Sequence, residues 1–303
     1  MNKIIIKILK KIERKGYQAY IVGGFVRDKL LGKASFDVDI TTNAPSEALE
    51  KIFKIKPNEY GVISLKVKNY NIDITSFRKE EYKDNRYPHV SYTSSLLEDL
   101  QRRDFTINAI CMNRYENLVD PLYGYKDLNK HLIKGIGDIE EKLKEDPLRI
   151  LRAIRFATVL DFDLDAKLKD AITTNYQLIN NLSKTRIKKE MDKILANENF
   201  LKGLELLKEF KILDILGITY KEVKYVPYIM GMYAQIDAPN LAFTNEGKKS
   251  IMNIAKIKNG GEINRETLQN YSLEENIIAG AILGKTEKEV KMLYKKEGSD
   301  KNA

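Results

Sequence analysis

The chain has 303 residues, 43% of them hydrophobic and 31% charged, with 52 Lys and Arg against 43 Asp and Glu for a net charge of +9. That length suits two or three packed units, and the balance is that of a soluble globular protein rather than a disordered or fibrous one. Cys111 is the only cysteine and His89 and His131 the only histidines, which excludes an intrachain disulfide and nearly excludes a histidine-built metal centre. No run of 18 apolar residues is present, so no membrane span is expected. A lone thiol fits a reducing compartment, and a cytoplasmic location is expected. The basic excess permits contact with a polyanion without demanding one.

In chain order, residues 2–15 have the spacing of an amphipathic helix, and Ala19–Val22 reads as a buried strand. A Gly23-Gly24 turn comes next, then a helical stretch over 25–31 carrying Arg27 and Asp28. Two adjacent glycines at such a turn let backbone N–H groups approach an anion. A second strand, Phe36–Thr41, carries Asp37 and Asp39. Strand side chains alternate, so these two carboxylates share a face, about 7 Å apart along the strand. Such a pair suits a divalent metal, and two-metal sites stabilise in-line displacement at phosphorus. A helix is expected over 45–54, and strands over 62–67 and 70–77. Asp73 alternates with Ile72 and Ile74 and so faces away from the apolar side. It either adds a third carboxylate to the pair or is a solvated strand-face acid. Residues 79–97 are polar around Pro88 and read as a mobile loop.

Within the run 101–109, QRRDFTINA, Arg103 offers a planar fork suited to triphosphate oxygens, and Asp104 and Asn108 can hold a sugar or the arginine. A strand is expected over 106–112, with Cys111 as a packing residue. Residues 120–128, DPLYGYKDL, read as a turn, with Asp127 capping the next segment of chain. From about 139 strand signals cease, and helical spacing runs through 140–160, 165–180, 185–196 and 198–210. Strands and helices therefore fall in separate blocks, an α+β arrangement with an all-helical region after it.

In EDPLRILRAIRF, residues 145–156, Asp146 is placed to cap a helix with Pro147 at its first position. Arg149, Arg152 and Arg155 recur every three residues as one stripe. The plain account is a cap and a solvated arginine face. The chemical account is that Asp146 accepts from an exocyclic amino group while Arg149 donates to the neighbouring ring nitrogen. Cytosine and adenine offer that pattern, and uracil and guanine invert it. Arg186 and Glu190, four apart, read as a brace on one helix.

Taken together and in order, GGFVRD, the strand with DVD, RRDFTINA, DPxxGxxDL and EDPLR resemble the tRNA nucleotidyltransferase (CCA-adding) and bacterial poly(A) polymerase family over residues 17–195. The resemblance implies a nucleotidyltransferase head over 1–138 with a small β-sheet and helices. It also implies a helical neck over 139–200 that recognises the base, and a shortened helical body over 201–303 that touches RNA. It implies Asp37 and Asp39 as Mg²⁺ ligands and catalytic groups, with Asp73 assisting. Gly23, Gly24, Arg27, Arg103, Asp104, Asn108, Asp146, Arg149, Arg152 and Arg155 would bind the nucleotide. The activity implied is addition of C and A to the tRNA 3′ end from CTP and ATP, with no membrane and no protein partner. CC-adding, A-adding and poly(A) synthesis stay open within the family, and a non-catalytic RNA-binding protein outside that chemistry. The family's flexible loop would place Arg86 near the RNA.

Overall fold

The computed structural model describes residues 2–81 and 89–299. Its backbone contacts divide the chain into two compact units, residues 1–149 with 162–172, and residues 150–161 with 173–303. In the first unit α1 (Lys3–Glu13), β1 (Ala19–Val22), α2 (Gly24–Leu30), β2 (Asp37–Thr42) and α3 (Ser46–Phe53) lead to β3 (Val62–Val67) and β4 (Tyr70–Ser76). Beyond them come β5 (Arg78–Glu81), β6 (His89–Tyr92), α4 (Leu96–Gln101), β7 (Cys111–Met112), β8 (Leu118–Val119), α5 (Gly124–Asn129), β9 (Leu132–Ile133) and α6 (Ile139–Glu145).

Six strands form one mixed sheet in the order β3-β4-β2-β1-β7-β8. β2 runs parallel to β4, and the other neighbours are antiparallel. The two-residue period sorts its faces. Val38 and Ile40 on β2, Ile72 and Ile74 on β4 and Ile63 on β3 are buried, whereas Asp37, Asp39, Asn71 and Asp73 are exposed. On α1 the buried residues Ile5, Ile8, Leu9 and Ile12 have helical spacing, and α1 packs against β1 as α3 packs against β3. One sheet face is thus sealed; the other is covered over Val22 and Cys111 by Leu100, Ala109 and Ile136, and is open at Asp37, Asp39 and Asp73.

α7 (Leu148–Leu160) begins in the first unit and continues in the second. After β10 (Asp163–Leu164) the chain is helical: α8 (Ala166–Asn175), α9 (Lys184–Leu195), α10 (Phe200–Glu209), α11 (Ile212–Leu216) and α12 (Ile229–Tyr233), then α13 (Asn245–Asn259), α14 (Arg265–Asn270), α15 (Leu273–Ile282) and α16 (Glu287–Ser299). Ile254, Ile257, Ile263, Leu268, Ile278 and Val290 form a core among α13–α16. Close approach of α9 and α10 depends on Gly203, where a Cβ would meet Ile194 at 2.4 Å and Thr158 at 2.7 Å. The fold class is α+β, a mixed sheet with its helices and then a helical region. No helix among the described residues is long and apolar enough to cross a membrane.

Several local expectations are corrected. The strand expected over 106–112 shrinks to β7, because Thr106–Asn108 is a turn of 3₁₀ helix. Its polar side chains are buried and must be paired, so Thr106 Oγ1 donates to Asp127 at 2.8 Å and Asn108 joins a side-chain network. The helix expected over 140–160 is two, broken where Pro147 pushes Asp146 to an extended φ of -138°. The helix over 165–180 ends at Asn175 and continues as 3₁₀ turns over Tyr176–Asn181. Strand pairing does not cease at 139, since β10 pairs in parallel with β9. The expected loop 79–97 holds the ladder of β5 with β6 and the helix α4, capped by Ser95. Arg86 lies outside the described residues.

Asp127 does not cap α5 but lies inside it. Asp120 does the capping, its carboxylate accepting the N–H groups of Gly124 at 2.9 Å and Tyr125 at 2.8 Å. This turn packs so tightly on the Thr106 turn that a Cβ at Gly124 would sit 2.0 Å from the Thr106 carbonyl oxygen. We expect Gly124→Ala to destabilise the protein by about 1–3 kcal/mol or more, since two backbones must part to admit one methyl group. Urea unfolding of the two proteins checks this.

Candidate active site

Asp37 and Asp39 stand two residues apart on the exposed face of β2. In the parallel ladder Asp39 is opposite Asp73 and Asp37 opposite Asn71. Parallel register puts paired residues on the same face, so three carboxylates gather on two adjacent strands. Two of them are held by neighbours: Asn71 Nδ2 donates to Asp37 at 2.8 Å and Ser64 Oγ to Asp73 at 2.6 Å. Asp39 faces solvent yet is hemmed in by protein. Its carboxyl is raised above the usual range, first by desolvation and then by Asp73 and Asp37, against the pull of Arg103 and Arg102.

Gly23 closes the other side. It has a φ of +82°, a conformation that favours glycine, and a Cβ there would come within 3.0 Å of Asp39 Oδ2 and 3.7 Å of Arg103 Nη1. These near-contacts bring Gly23, Asp39 and Arg103 together from three separate stretches of sequence. Gly24 faces Arg27 instead, with Nη2 at 3.6 Å from its virtual Cβ.

Arg103 is aimed by Asp99, a fully buried carboxylate on α4. Asp99 accepts from Arg103 Nη2 at 3.4 Å, Arg102 Nε at 3.0 Å, the Arg78 N–H at 3.3 Å and Thr41 Oγ1 at 3.1 Å. Burial alone would raise its pKa, but the two guanidiniums and these hydrogen bonds hold it below the usual carboxylate range. Thr41 lies two residues beyond Asp39 on the same strand face, so Asp99 ties the acid strand to the arginine. The Nε of Arg103 is buried with no hydrogen-bond partner among the described residues. A buried, unpaired guanidinium N–H is costly unless something outside the chain accepts from it. Sequence reading missed Asp99, although its spacing of three and four from Arg102 and Arg103, at and just past the end of its helix, was a usable signal.

Arg27, Asp104 and Asn108 form a separate buried network. Arg27 Nη1 donates to Asn108 Oδ1 at 2.7 Å, its Nε and Nη2 donate to Asp28 at 2.8 and 2.7 Å, and Asn108 Nδ2 donates to Asp104 at 3.1 Å. The partners expected for Asn108 are a sugar or Arg103; the arginine it holds is Arg27. The network fastens α2, and with it the Gly23 turn, to the 3₁₀ turn.

Asp146 ends α6 and starts α7, its Oδ1 accepting the Leu148 N–H at 3.3 Å. Arg149 is only 6% exposed. Its Nη1 donates to the Lys142 carbonyl at 2.8 Å and Glu145 at 3.2 Å, and its Nη2 to the Arg102 carbonyl at 3.3 Å. With Glu80, Arg102, Lys142 and Glu145 it lines a cleft of about 270 Å³ in the first unit. Arg152 and Arg155 belong to the second unit. There Arg155 pairs with Glu190 at 2.6 Å and lies 4.0 Å over the Phe156 ring, and Arg152 lies 5.5 Å from that ring. Cys111 is buried and its thiol is pushed up to about 12 by desolvation, in keeping with a packing role.

Among the described residues, no three His, Cys, Asp or Glu side chains converge as a ready-made metal cage. The donor set is nonetheless suited to a hard divalent cation that takes one or two carboxylates and completes its shell with phosphate oxygens and water. Asp37 and Asp39 offer that pair on one face, and Arg103 lies on the side where phosphates would add charge. The arrangement can bring a polyphosphate and a divalent cation together at one strand.

Known proteins share this chain's sequence pattern and fold. The family model described as "Poly A polymerase head domain" matches residues 19–134, and that described as "Probable RNA and SrmB- binding site of polymerase A" matches residues 161–218. The chain is 44% identical over 230 residues to the CCA-adding enzyme of Staphylococcus haemolyticus, covering 74% of this chain and 55% of that one. It is 41% identical over 194 residues to the CCA-adding enzyme of Lactobacillus johnsonii, covering 62% and 49%. The chain thus spans about half the length of the curated relatives it matches. The structure of the Bacillus stearothermophilus CCA-adding enzyme in complex with CTP superposes with a TM-score of 0.82 at 25% identity, over 99% of this chain and 83% of that one. A tRNA nucleotidyltransferase complexed with a primer tRNA and an incoming ATP analog gives 0.58 at 26% identity, over 92% and 74%. On the shared motifs, the two matching family models and this fold, the chain belongs to the family of tRNA nucleotidyltransferases and bacterial poly(A) polymerases.

Proposed function

We propose that the protein is a template-independent, Mg²⁺-dependent RNA nucleotidyltransferase that adds C and A to the 3′ end of tRNA from CTP and ATP, with release of pyrophosphate, in the cytoplasm. The observation that carries this reading is the pairing of Asp37 and Asp39 on one strand face with Arg103 converging beside Gly23. The relatives named CCA-adding enzymes, and the solved neighbours holding CTP or an ATP analog with primer tRNA, support the choice of substrates. In this reading residues 1–138 form the catalytic head, 139–200 the base-recognising neck and 201–303 the RNA-contacting body.

Asp37 and Asp39 hold the magnesium, which when bound supplies Lewis-acid compensation for charge developing on the transferred phosphate. Asp73, held by Ser64, stands in register beside Asp39 to orient the attacking 3′-hydroxyl. Arg103 donates its remaining N–H groups to the triphosphate, and the Gly23 backbone, with no side chain in the way, lets the phosphates approach. Arg27, Asp104 and Asn108 keep that turn rigid. Asp146 accepts from the exocyclic amino group of cytosine or adenine. Arg149, whose three bonds to the protein leave two of its five N–H groups, donates to the ring nitrogen.

Asp39→Asn and Asp37→Ala are each expected to lower nucleotide transfer to a truncated tRNA by about 10³-fold or more while melting within a few degrees of wild type. Transfer at the wild-type rate by either variant overturns the assignment. Asp146→Ala is expected to shrink the preference for CTP over UTP roughly tenfold or more, the worth of one discriminating hydrogen bond. Incubation of wild type with tRNA lacking its 3′ end and each nucleoside triphosphate singly tests the activity itself. Incorporation of UTP as readily as CTP, or growth of A-tails on unrelated RNA, refutes it.

A further inference from the structure

The end of α4 is held in an unusual way. A helix C-terminus leaves carbonyls without intrahelical partners, and one nearby cation commonly caps them. Here three successive carbonyls are taken. Lys142 Nζ donates to those of Gln101 and Arg103, the latter at 3.1 Å, and Arg149 Nη2 donates to that of Arg102 at 3.3 Å. Arg149 Nη1 then donates to Lys142's own carbonyl at 2.8 Å, so the two cations brace each other's backbone.

Lys142 makes no salt bridge among the described residues. Its ammonium is pushed down to about 8, first by burial and then by the Arg149 charge, against the weaker opposing pull of Glu145, Asp104 and Glu80. Burying a lysine on carbonyls alone forfeits hydration and side-chain freedom, a heavy cost for capping a helix of only six residues. The segment it pins bears Arg102 and Arg103. Arg103 must hold one guanidinium edge on Asp99 and present the other beside Gly23 and Asp39, and a side chain so extended keeps its aim only if its own backbone is fixed.

Resting on the function proposed above, we propose that Lys142 is a positioning residue for Arg103: with Arg149 it locks the backbone of residues 101–103 so that the guanidinium meets the triphosphate in one orientation. Because Arg149 is also the proposed base reader, the same lock ties the grip on the base to the grip on the phosphates. Sequence alone carried no signal for it, since Lys142 and the carbonyls it holds lie about forty residues apart.

The test measures binding of inorganic tripolyphosphate, CTP and ATP to the full chain in Mg²⁺ buffer by calorimetry. Lys142→Met is expected to weaken all three by a similar factor, about ten- to hundredfold, as misaimed groups do. Lys142→Arg, which keeps the charge and donors, is expected to stay within about threefold of wild type. In an Arg103→Ala background Lys142→Met is expected to cost less than about twofold more, because a residue acting through another has nothing left to act on. Additive losses in that double variant, or tripolyphosphate binding by Lys142→Met equal to wild type, overturn the proposal. Should Lys142→Met fail to fold, Lys142→Gln takes its place under the same criteria. A wild-type chain that binds tripolyphosphate through this lock but adds neither C nor A refutes the proposed function and leaves the positioning role standing.

Discussion

Negative charge gathered on one strand face repels itself, and the first unit is arranged around that repulsion. Asp39 stands beside Asp73 and near Asp37, in surroundings that already disfavour its ionised form. What balances it within the chain is Arg103, and Arg103 is where it is because the buried Asp99 holds it. Asp99 is itself tolerable in the interior only because two guanidiniums, a backbone N–H and the Thr41 hydroxyl satisfy it. The acids and the arginine therefore depend on one another. The negative charge that remains at Asp37, Asp39 and Asp73 is what the proposed function assigns to a divalent cation.

Around this core the structure devotes its buried polar groups to rigidity. Arg27, which its motif suggested as a ligand for the nucleotide, is engaged by Asp28 and Asn108, with Asp104 behind. Such a network, once satisfied, fixes the backbone at the Gly23 turn more firmly than apolar packing alone. Arg149 is held in the same manner, anchored to three protein oxygens. On the proposed role of Arg149, such anchoring matters because a group that distinguishes base edges by hydrogen bonds is useful only if it cannot swing to accommodate the wrong one.

The helical unit repeats the pattern in another form. Arg155 and Glu190 form a short buried ion pair, and Lys188 with Tyr233 surrounds Asp192 at 2.7 Å each. Breaking either by removing one partner would strand a charge or a hydroxyl in the interior. Both clusters connect helices distant in sequence, which packing of Leu and Ile alone specifies less sharply.

Periodicity and punctuation determined a good deal without any coordinates. The alternation of Asp37, Val38, Asp39 and Ile40 fixed which side chains share a face, because a strand has no other way to place them, and β1 and β3 fall where their apolar runs begin and end. The motifs singled out Gly23 and Arg103, which the fold brings together beside Asp39. Tertiary structure decided the rest. Only the register of β2 against β4 sets Asp73 beside Asp39, and only the fold makes a 3₁₀ turn of Thr106–Asn108, since burial obliges polar side chains to find partners from elsewhere. The lysine that holds the carbonyls of residues 101 and 103 and the glutamate that takes Arg155 are long-range choices, whereas the carboxylate on Arg103 stands only four residues before it. Local sequence carries propensity and pattern, but a hydrogen bond closed across forty residues has its energy in the folded geometry, where the cost of burying each partner is settled.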